Sequence, residues 1–515
     1  MKTLNILKTG AFATLLLLGS CTKDVDNPQG GGGEGGVVEG IPTYATVSLS
    51  QRTGAGTYAG AADYVNGTSQ ASDVEKKITD AVVLVFNSDD VLENYVKFED
   101  AELAKAPYAK TFATTTGKKR LYALANLEDY SAIEKIFNGQ TAADKKLSNV
   151  CKVIQQIADI SRATTDYKFW MSNVYKLGAT IEDQVTVQKG DENTNNFTIY
   201  IGRMVSKVTP TFADNLVINS GDGTIEIKDE QDAVVAEYRV RNNPKRFYTF
   251  PVYEGTQLIS PYYNRTYDLP NPTDYDDANT NVGKNDFFDN GHEDGGNHTF
   301  VKAATDSYLT ENSPKEAKRH KVTFLSIKAK WTPNANALLL DADGSIADNA
   351  AATLKKITDA TDAVPAGNGG TFYRVQKWQG GKIVGYCPGI YAETPAKWTD
   401  VGGTPGDGEG ALNTAVADRN AAKASVDPCY LIVTYDQGMA YWAYWMRSRL
   451  DGTIAEKYAL KRNNHYKVNI ISVDGVGEPT EDDNLDKDED LEADASMKAT
   501  IEVLNWNVVD IEGGI

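Results

Sequence analysis

Histidines, cysteines and clustered carboxylates are the residues of this chain whose types and spacing could do chemistry. His292-Glu293 lies close to His298, which resembles a zinc-binding helix. The spacing is not H-E-x-x-H, and Gly295 and Gly296 oppose the helix that would set both imidazoles on one face, so no metal site is assigned. Asp486, Asp488 and Asp490 imitate the opening of a calcium loop. Leu491 stands where that loop needs glycine and Met497 where it needs a bidentate glutamate. The acidic stretch Asp274–Asp294 is read as a solvated loop in preference to a weak calcium site. Neither a G-x-x-x-x-G-K-[ST] phosphate loop nor a G-x-S-x-G nucleophile elbow occurs, and four histidines in 515 residues leave little room for a triad. Carboxylate pairs for glycoside hydrolysis are not ruled out, because distance along the sequence says nothing of distance in space. The expectation is no catalytic residue, no metal, no cofactor and no enzyme.

Two further groups carry chemistry of a different kind. Lys2 and Lys8 precede the short apolar core Ala11–Leu18, and Leu18-Gly19-Ser20-Cys21 then matches the lipobox of bacterial lipoproteins. Residues 1–20 are therefore read as an export signal and Cys21 as the thiol that takes a diacylglycerol. Cys151, Cys387 and Cys429 remain, an odd number that cannot pair fully within one chain; a Cys387–Cys429 bridge and buried free thiols both stay open. The aromatic run Tyr441–Trp445 could stack on sugar rings, but a strand buried between layers, or at a subunit contact, is the better reading.

The elements that must position these residues read as β-rich. Hydrophobic content is 41% and charged content 24%, and Gly, Tyr, Thr, Asn and Asp are plentiful. The net charge of −19 argues against nucleic-acid binding and against adsorption to anionic lipid. Ala81–Phe86 is a continuous apolar run, the pattern of a strand buried on both faces. Further strands are expected at Val91–Phe98, Arg120–Asn126, Phe197–Val208, Val322–Trp331, Thr371–Val375, Tyr430–Tyr435, Tyr441–Met446 and Tyr466–Val473, with a hairpin over Ile225–Ile227 and Val234–Val240. Helices are expected at Ser131–Asn138 and Lys146–Ile160, the latter from Val150, Val153, Ile154, Ile157 and Ile160 at helical spacing. A domain boundary is placed near Pro210–Leu216.

The two ends are distinctive. Asn27–Gly40 is a glycine-rich tether. Ile41–Thr53 follows it, with Ala45, Val47 and Leu49 alternating against Thr46, Ser48 and Ser50, then Arg52. Arg52 is the first arginine, and the next basic residue is Lys76, so a protease could detach this strand. Thr53–Ala71 reads as loop or edge. Glu481–Asp494 holds nine acids and one lysine and reads as solvated. The tail Ala499–Ile511 resumes as an apolar strand in which Ile501 and Val503 share one phase and Leu504, Trp506 and Val508 the other, a switch that marks a bulge or a strand passing between sheets.

Taken in order, these features resemble the fimbrillins of the Bacteroidales (type V pilus subunits), and among them the shaft subunit of the short (minor) fimbriae of Porphyromonas. The motifs are the lipobox, the strand ending at Arg52, Phe169-Trp170-Met171-Ser172-Asn173, Arg203-Met204-Val205-Ser206-Lys207-Val208, Arg462-Asn463-Asn464-His465-Tyr466-Lys467-Val468, and Val503–Val509 around Trp506. The resemblance implies a mainly β chain of two transthyretin-like β-sandwich domains with a few short helices and exchangeable terminal strands. The segments are a signal peptide (1–20), a lipidated propeptide with the removable strand (21–52), an N-terminal domain (53–212), a C-terminal domain (213–479) and an acidic linker with the donor strand (480–515). It also implies export to the outer membrane as a lipoprotein and cleavage between Arg52 and Thr53 by an arginine-specific protease. The C-terminal strand of a neighbouring subunit (Ile501, Val503, Leu504, Trp506, Val508) then fills the groove left by Ala45, Val47 and Leu49. The implied partners are identical subunits head to tail with anchor and tip fimbrial proteins, in a cell-surface fimbrium that supports adhesion and biofilm. Ligands on host or bacterial surfaces are left unassigned. The alternatives are a tip or accessory adhesin, or a glycan-binding surface lipoprotein that does not polymerise.

Overall fold

Period-2 alternation of apolar residues dominates the sequence, and sheets dominate the fold. The computed structural model describes residues 37–51, 67–104, 106, 108–127, 129–151, 153–156, 169–173, 184–190, 194–218, 223–229, 231–244, 246–254, 257–260, 288–289, 299–315, 322–333, 370–386, 416–448, 452–473, 475–481, 491 and 497–507. Glu39–Ile515 form one compact unit, to which every element below belongs. The chain is mainly β with a few short helices, as expected.

The first sheet has the order β4 (Leu92–Lys97), β3 (Ala81–Phe86), β6 (Gly117–Ala125), β8 (Met171–Ser172), β10 (Asn196–Arg203), β1 (Pro42–Gln51) and β5 (Tyr108–Thr115), with β9 (Gln184–Val187) also paired to β6. All six residues of β3 are buried. Val83 and Val85 enter a core shared with Val47, Leu49, Ile199 and Ile201. Val82, Leu84 and Phe86 enter a second core on the opposite face, with Ile133, Leu147, Val150 and Phe250. A core on each face explains why this strand is apolar without alternation. The helices α1 (Asp73–Lys76), α2 (Asp100–Leu103), α3 (Ser131–Phe137) and α4 (Leu147–Cys151) all lie near this sheet in sequence.

The second sheet has the order β2 (Gly67–Gln70), β27 (Met497–Asn507), β26 (Asn464–Val473), β11 (Val205–Ile218) and β20 (Ser307–Thr310). The third joins β12 (Gly223–Glu226), β21 (Phe324–Pro333), β13 (Glu237–Arg241) and β19 (Val301–Lys302), with β25 (Met439–Trp445) also on β21. One hydrophobic core takes Val208, Leu309, Tyr466, Val468 and Ile470 from the second sheet and Tyr238, Val240, Leu325, Ile327, Trp331 and Trp442 from the third. Two sheets facing across one core make a β-sandwich. A smaller sheet runs β23 (Lys382–Tyr386), β22 (Phe372–Gln379), β24 (Cys429–Tyr435). Ribbons pair β14 (Asn243–Pro244) with β18 (Phe288–Asp289), β15 (Arg246–Tyr248) with β7 (Ile154–Gln156), and β16 (Val252–Glu254) with β17 (Gln257–Ile259).

Several expectations are corrected. The helix drawn over Lys146–Ile160 stops at Cys151, and Ile154–Gln156 is a strand paired with Arg246–Tyr248. The continuous strand Phe197–Val208 breaks at Met204, where the chain leaves the first sheet for the second. Ile225 and Val240 do not belong to a simple hairpin, because β21 lies between β12 and β13 and pairs with both. Nor does a bulge sit at Val503: the ladder from Ala499 to Asn505 is regular, and the irregularity lies opposite it, between Ile470 and Ser472. The acidic stretch is docked at its start, where Glu481, 6% exposed, pairs with Arg239 and Arg241. Leu491 joins a core with Phe324 and Trp445.

Candidate strand-exchange site

β1 forms because four side chains of one phase, Thr43, Ala45, Val47 and Leu49, can be buried together, at 5%, 1%, 0% and 1% exposure, while Tyr44 stands 53% exposed. It is an interior strand. It runs parallel to β10, from Thr46 opposite Asn196 to Gln51 opposite Ile201, and antiparallel to β5, from Pro42 opposite Thr115 to Leu49 opposite Tyr108. Side chains add to the ladders. Thr43 Oγ1 donates to Gly190 O at 2.9 Å, Asn195 Nδ2 donates to Tyr44 O at 2.9 Å, and the Thr46 and Thr111 hydroxyls meet at 2.8 Å. At the far end Gln51 Nε2 donates to Lys76 O. Val47 and Leu49 reach the core shared by both neighbouring strands.

β5 is an edge whose sheet neighbour among the described residues is β1. It is tied down otherwise by side chains of the opposite edge strand. Glu93 Oε1 on β4 accepts from Thr115 N at 3.2 Å and from Thr115 Oγ1 at 2.8 Å, Asn94 Nδ2 donates to Ala113 O at 3.1 Å, and Lys119, 3% exposed, pairs with Glu93. Lys110 and Glu102 are 3.1 Å apart at the other end. The site therefore has a fixed wall, β10, and a bracketed wall, β5.

The C-terminal strand lies elsewhere. Ile501, Val503, Leu504 and Trp506 all fall within β27, which pairs antiparallel with β26, from Met497 opposite Val473 to Asn505 opposite Asn464. Its last part also pairs parallel with β2, from Gly67 opposite Leu504 to Gln70 opposite Asn507. Ala45, Val47 and Leu49 are thus brought together in the first sheet, and the C-terminal residues in the second. Cys21, Arg52, Thr53 and Val508 lie outside the described residues, as do His292, His298, Cys387 and Asp486–Asp490. Cys429 is a buried free thiol beside Trp378 and Leu431. Trp442, Tyr444 and Trp445 are 0%, 5% and 5% exposed, so these aromatics are core.

The short motifs converge where the first two sheets meet. Arg462 is paired with Glu311 and reaches Ser172 Oγ at 3.4 Å. Asn463, at φ 57°, accepts from Arg203 N at 3.1 Å and donates its N–H to Val205 O at 2.9 Å. Met204 N donates to Trp170 O at 2.7 Å. Glu75 of α1, 3% exposed, accepts from Ser72 N at 2.6 Å and Tyr308 OH at 2.8 Å, with Lys207 Nζ at 3.4 Å. Burial alone raises the pKa of its carboxyl, but these donors together with Arg203 hold it below the usual value. Sequence reasoning missed Glu75 and Glu93 and placed β2 only within a stretch read as loop or edge, since none carries an apolar pattern. Their signal is an isolated acid or a small polar run, which is common on surfaces.

Residues 45–227 match the family described as major fimbrial subunit protein (FimA). Residues 433–512 match the family described as major fimbrial subunit protein type IV, fimbrillin, C-terminal. No curated protein matches the chain. Among solved structures, a fimbrilin from Porphyromonas gingivalis W83 aligns at 14% identity, over 90% of this chain and 98% of that one, with a TM-score of 0.38. The C-terminally truncated tip fimbrial protein Mfa3 from Porphyromonas gingivalis aligns at 12% identity, over 90% of this chain and all of that one, with a TM-score of 0.31. A fimbrial assembly protein from Parabacteroides distasonis ATCC 8503 aligns at 12% identity over 57% and 86%, with a TM-score of 0.29. At these scores the family matches carry the assignment and the structural likeness adds no argument.

Proposed function

The chain belongs to the fimbrillins of the Bacteroidales, non-enzymatic structural subunits of cell-surface fimbriae, and on that premise we propose that it is a shaft subunit, of the short-fimbria kind, polymerised by strand exchange. The precursor is exported, lipidated at Cys21 and held at the outer membrane. An arginine-specific protease cuts between Arg52 and Thr53 and β1 leaves. The apolar tail of the next subunit, with Ile501, Val503, Leu504, Trp506 and Val508, takes its place. Such a head-to-tail contact does not close on itself and so builds a filament, joined by anchor and tip proteins and supporting adhesion and biofilm. Two β-sandwich domains, residues 53–212 and 213–479, are proposed to form the repeating body, and the change of sheet at Met204 supports a division near there.

The observation that carries this reading is the position of β1. The first strand among the described residues sits between β10 and β5, immediately before the lone arginine. Losing Val47 and Leu49 from the core costs about 1.5–3 kcal/mol for each side chain, and unpaired main-chain groups on both walls add to that. A cut subunit is thereby driven towards any strand that can restore the pairing. The test is to treat purified precursor with an arginine-specific protease and look for laddered oligomers and filaments. Arg52→Ala should stay monomeric, as should a cleaved variant lacking Ala499–Ile515. A stable cleaved monomer from the unaltered precursor sinks the proposal.

A further inference from the structure

β27 has two unlike halves. Met497–Val503 pairs with β26 on one side, whereas Leu504–Asn507 pairs with β26 through Asn505 and along its whole length with β2. The division falls where the apolar phase of the sequence changes, between Val503 and Leu504. β2 is four residues long, too short to be stable by itself, and it is held at its ends. On its C-terminal side Ser72 and Glu75 follow at once, and Glu75 is fixed by Tyr308, Lys207 and Arg203, the last donating Nε–H to Glu75 O at 2.9 Å. On its N-terminal side residues 52–66 join it to β1, which is fixed in the first sheet.

We propose that β2 is a clamp on the second half of β27, and that the cut between Arg52 and Thr53 loosens it, so that one cleavage opens the acceptor and frees the donor. This rests on the strand-exchange reading above, and the partner is a second copy of this chain. With β1 attached, β2 is confined from both ends, and the entropy of closing that loop is already lost in the precursor. After the cut it is an N-terminal strand anchored at its C-terminal end alone, through Ala71 in the core and Glu75 beyond it, and such ends fray. The pairing is parallel, so fraying begins at Gly67, opposite Leu504, at the phase change. Met497–Val503 holds its ladder to β26 at this stage, while the freed end peels back through Asn505 and Leu504; Ile501 and Val503 follow only when the groove of a neighbour takes them up. One tail thereby stays attached to its own subunit while reaching the next.

Two measurements on the full precursor test the clamp. Thr68 and Asn505 are register partners at a spacing a disulfide can bridge, so Thr68→Cys with Asn505→Cys gives a removable lock. The oxidised, cleaved double variant should remain monomeric and ladder like the parent once reduced. Laddering of the oxidised form at the parent rate overturns the clamp. Hydrogen exchange is read on dilute monomer before and immediately after cleavage. Amides of Leu504–Asn507 should exchange at least about tenfold faster after the cut, with those of Ala499–Val503 unchanged. No acceleration at Leu504–Asn507 overturns the clamp whether or not the parent polymerises, whereas faster exchange without laddering leaves the clamp standing and sinks the strand-exchange reading.

Discussion

Arg462 Nη2 lies 2.6 Å from Glu311 Oε1, and the two side chains are 1% and 0% exposed. The guanidinium also donates to Tyr248 O at 2.8 Å and Thr249 O at 3.2 Å. Glu311 follows β20 of the second sheet, Arg462 precedes β26, and Ser172 of the first sheet completes the shell. A buried pair is secure only when every hydrogen-bonding group around it is satisfied, and here one arginine connects segments from both sheets.

Breaking that pair from one side should be severe. Glu311→Ala leaves a buried guanidinium without its counter-charge, and a loss of about 3–5 kcal/mol is expected. Urea unfolding of the precursor checks it through the midpoint at unchanged slope. A loss below about 1 kcal/mol would mean that the pair behaves as an exposed one.

The same junction makes stability acid-sensitive. His465 bonds Thr209 Oγ1 at 2.6 Å. Burial, then the nearby Lys207, pushes its pKa down to about 4, with Lys467 acting the same way and Asp306 and Glu75 opposing. The unfolded chain, with an ordinary histidine near 6.5, takes up the proton first. The stabilisation is therefore complete above pH 6.5 and is lost as pH falls towards 4. Glu75, held below its usual pKa, loses its contribution in the same direction at lower pH. His465→Gln should flatten thermal midpoints between pH 6.5 and 4 relative to the parent; parallel pH profiles would rule the histidine out.

Much of the fold is legible in the sequence, for physical reasons that differ by element. Val82–Phe86 reads correctly because burial on both faces demands an apolar run, and Ala45, Val47 and Leu49 read correctly because one-faced burial demands alternation. Ile154 misleads: it continues the helical spacing of Val150, but its partner is Tyr248, 94 positions away, and no local pattern announces a distant strand. Gly67-Thr68-Ser69-Gln70 lies in a small, polar stretch that reads only as loop or edge, and it becomes an edge strand because β27 presents a free side to it. Glu481 sits in a run of acids like any solvated stretch. It is buried because Arg239 and Arg241 come to it from β13. The fimbrillin motifs are visible as linear segments, but their meeting at Arg203, Arg462 and Asn463 is a property of the fold.

Val47 offers a test that separates the removable strand from the permanent core. Val47→Ala deletes two methyl groups from a fully buried position and should destabilise the precursor by about 1–3 kcal/mol. If β1 is discarded during maturation, the filament no longer contains the substitution, and its melting should equal the parent's. Ile199→Ala, on the wall that stays, should weaken precursor and filament alike. Thermal melts of both forms of each variant decide it, and a filament weakened by Val47→Ala would mean that β1 is retained.

Glu93 governs whether the second wall survives the loss of the first strand. When β1 leaves, β5 keeps no ladder among the described residues; Lys110 and Glu102 hold its start, and its end rests on Glu93, which takes the Thr115 amide and hydroxyl and the Thr114 hydroxyl, with Lys119 and Asn94. Hydrogen bonds to a charged acceptor contribute about 1.5–3 kcal/mol each, and Glu93 is also the counter-charge of the buried Lys119. Glu93→Gln should therefore lower the melt of the precursor but leave it folded, since β1 still pairs with β5. After cleavage the same variant should show faster amide exchange at Ala113–Thr115 and assemble several-fold more slowly than the parent. Raising the subunit concentration should recover part of that rate, since the incoming strand itself reorders β5. Assembly at the parent rate would mean that β5 holds its place without Glu93.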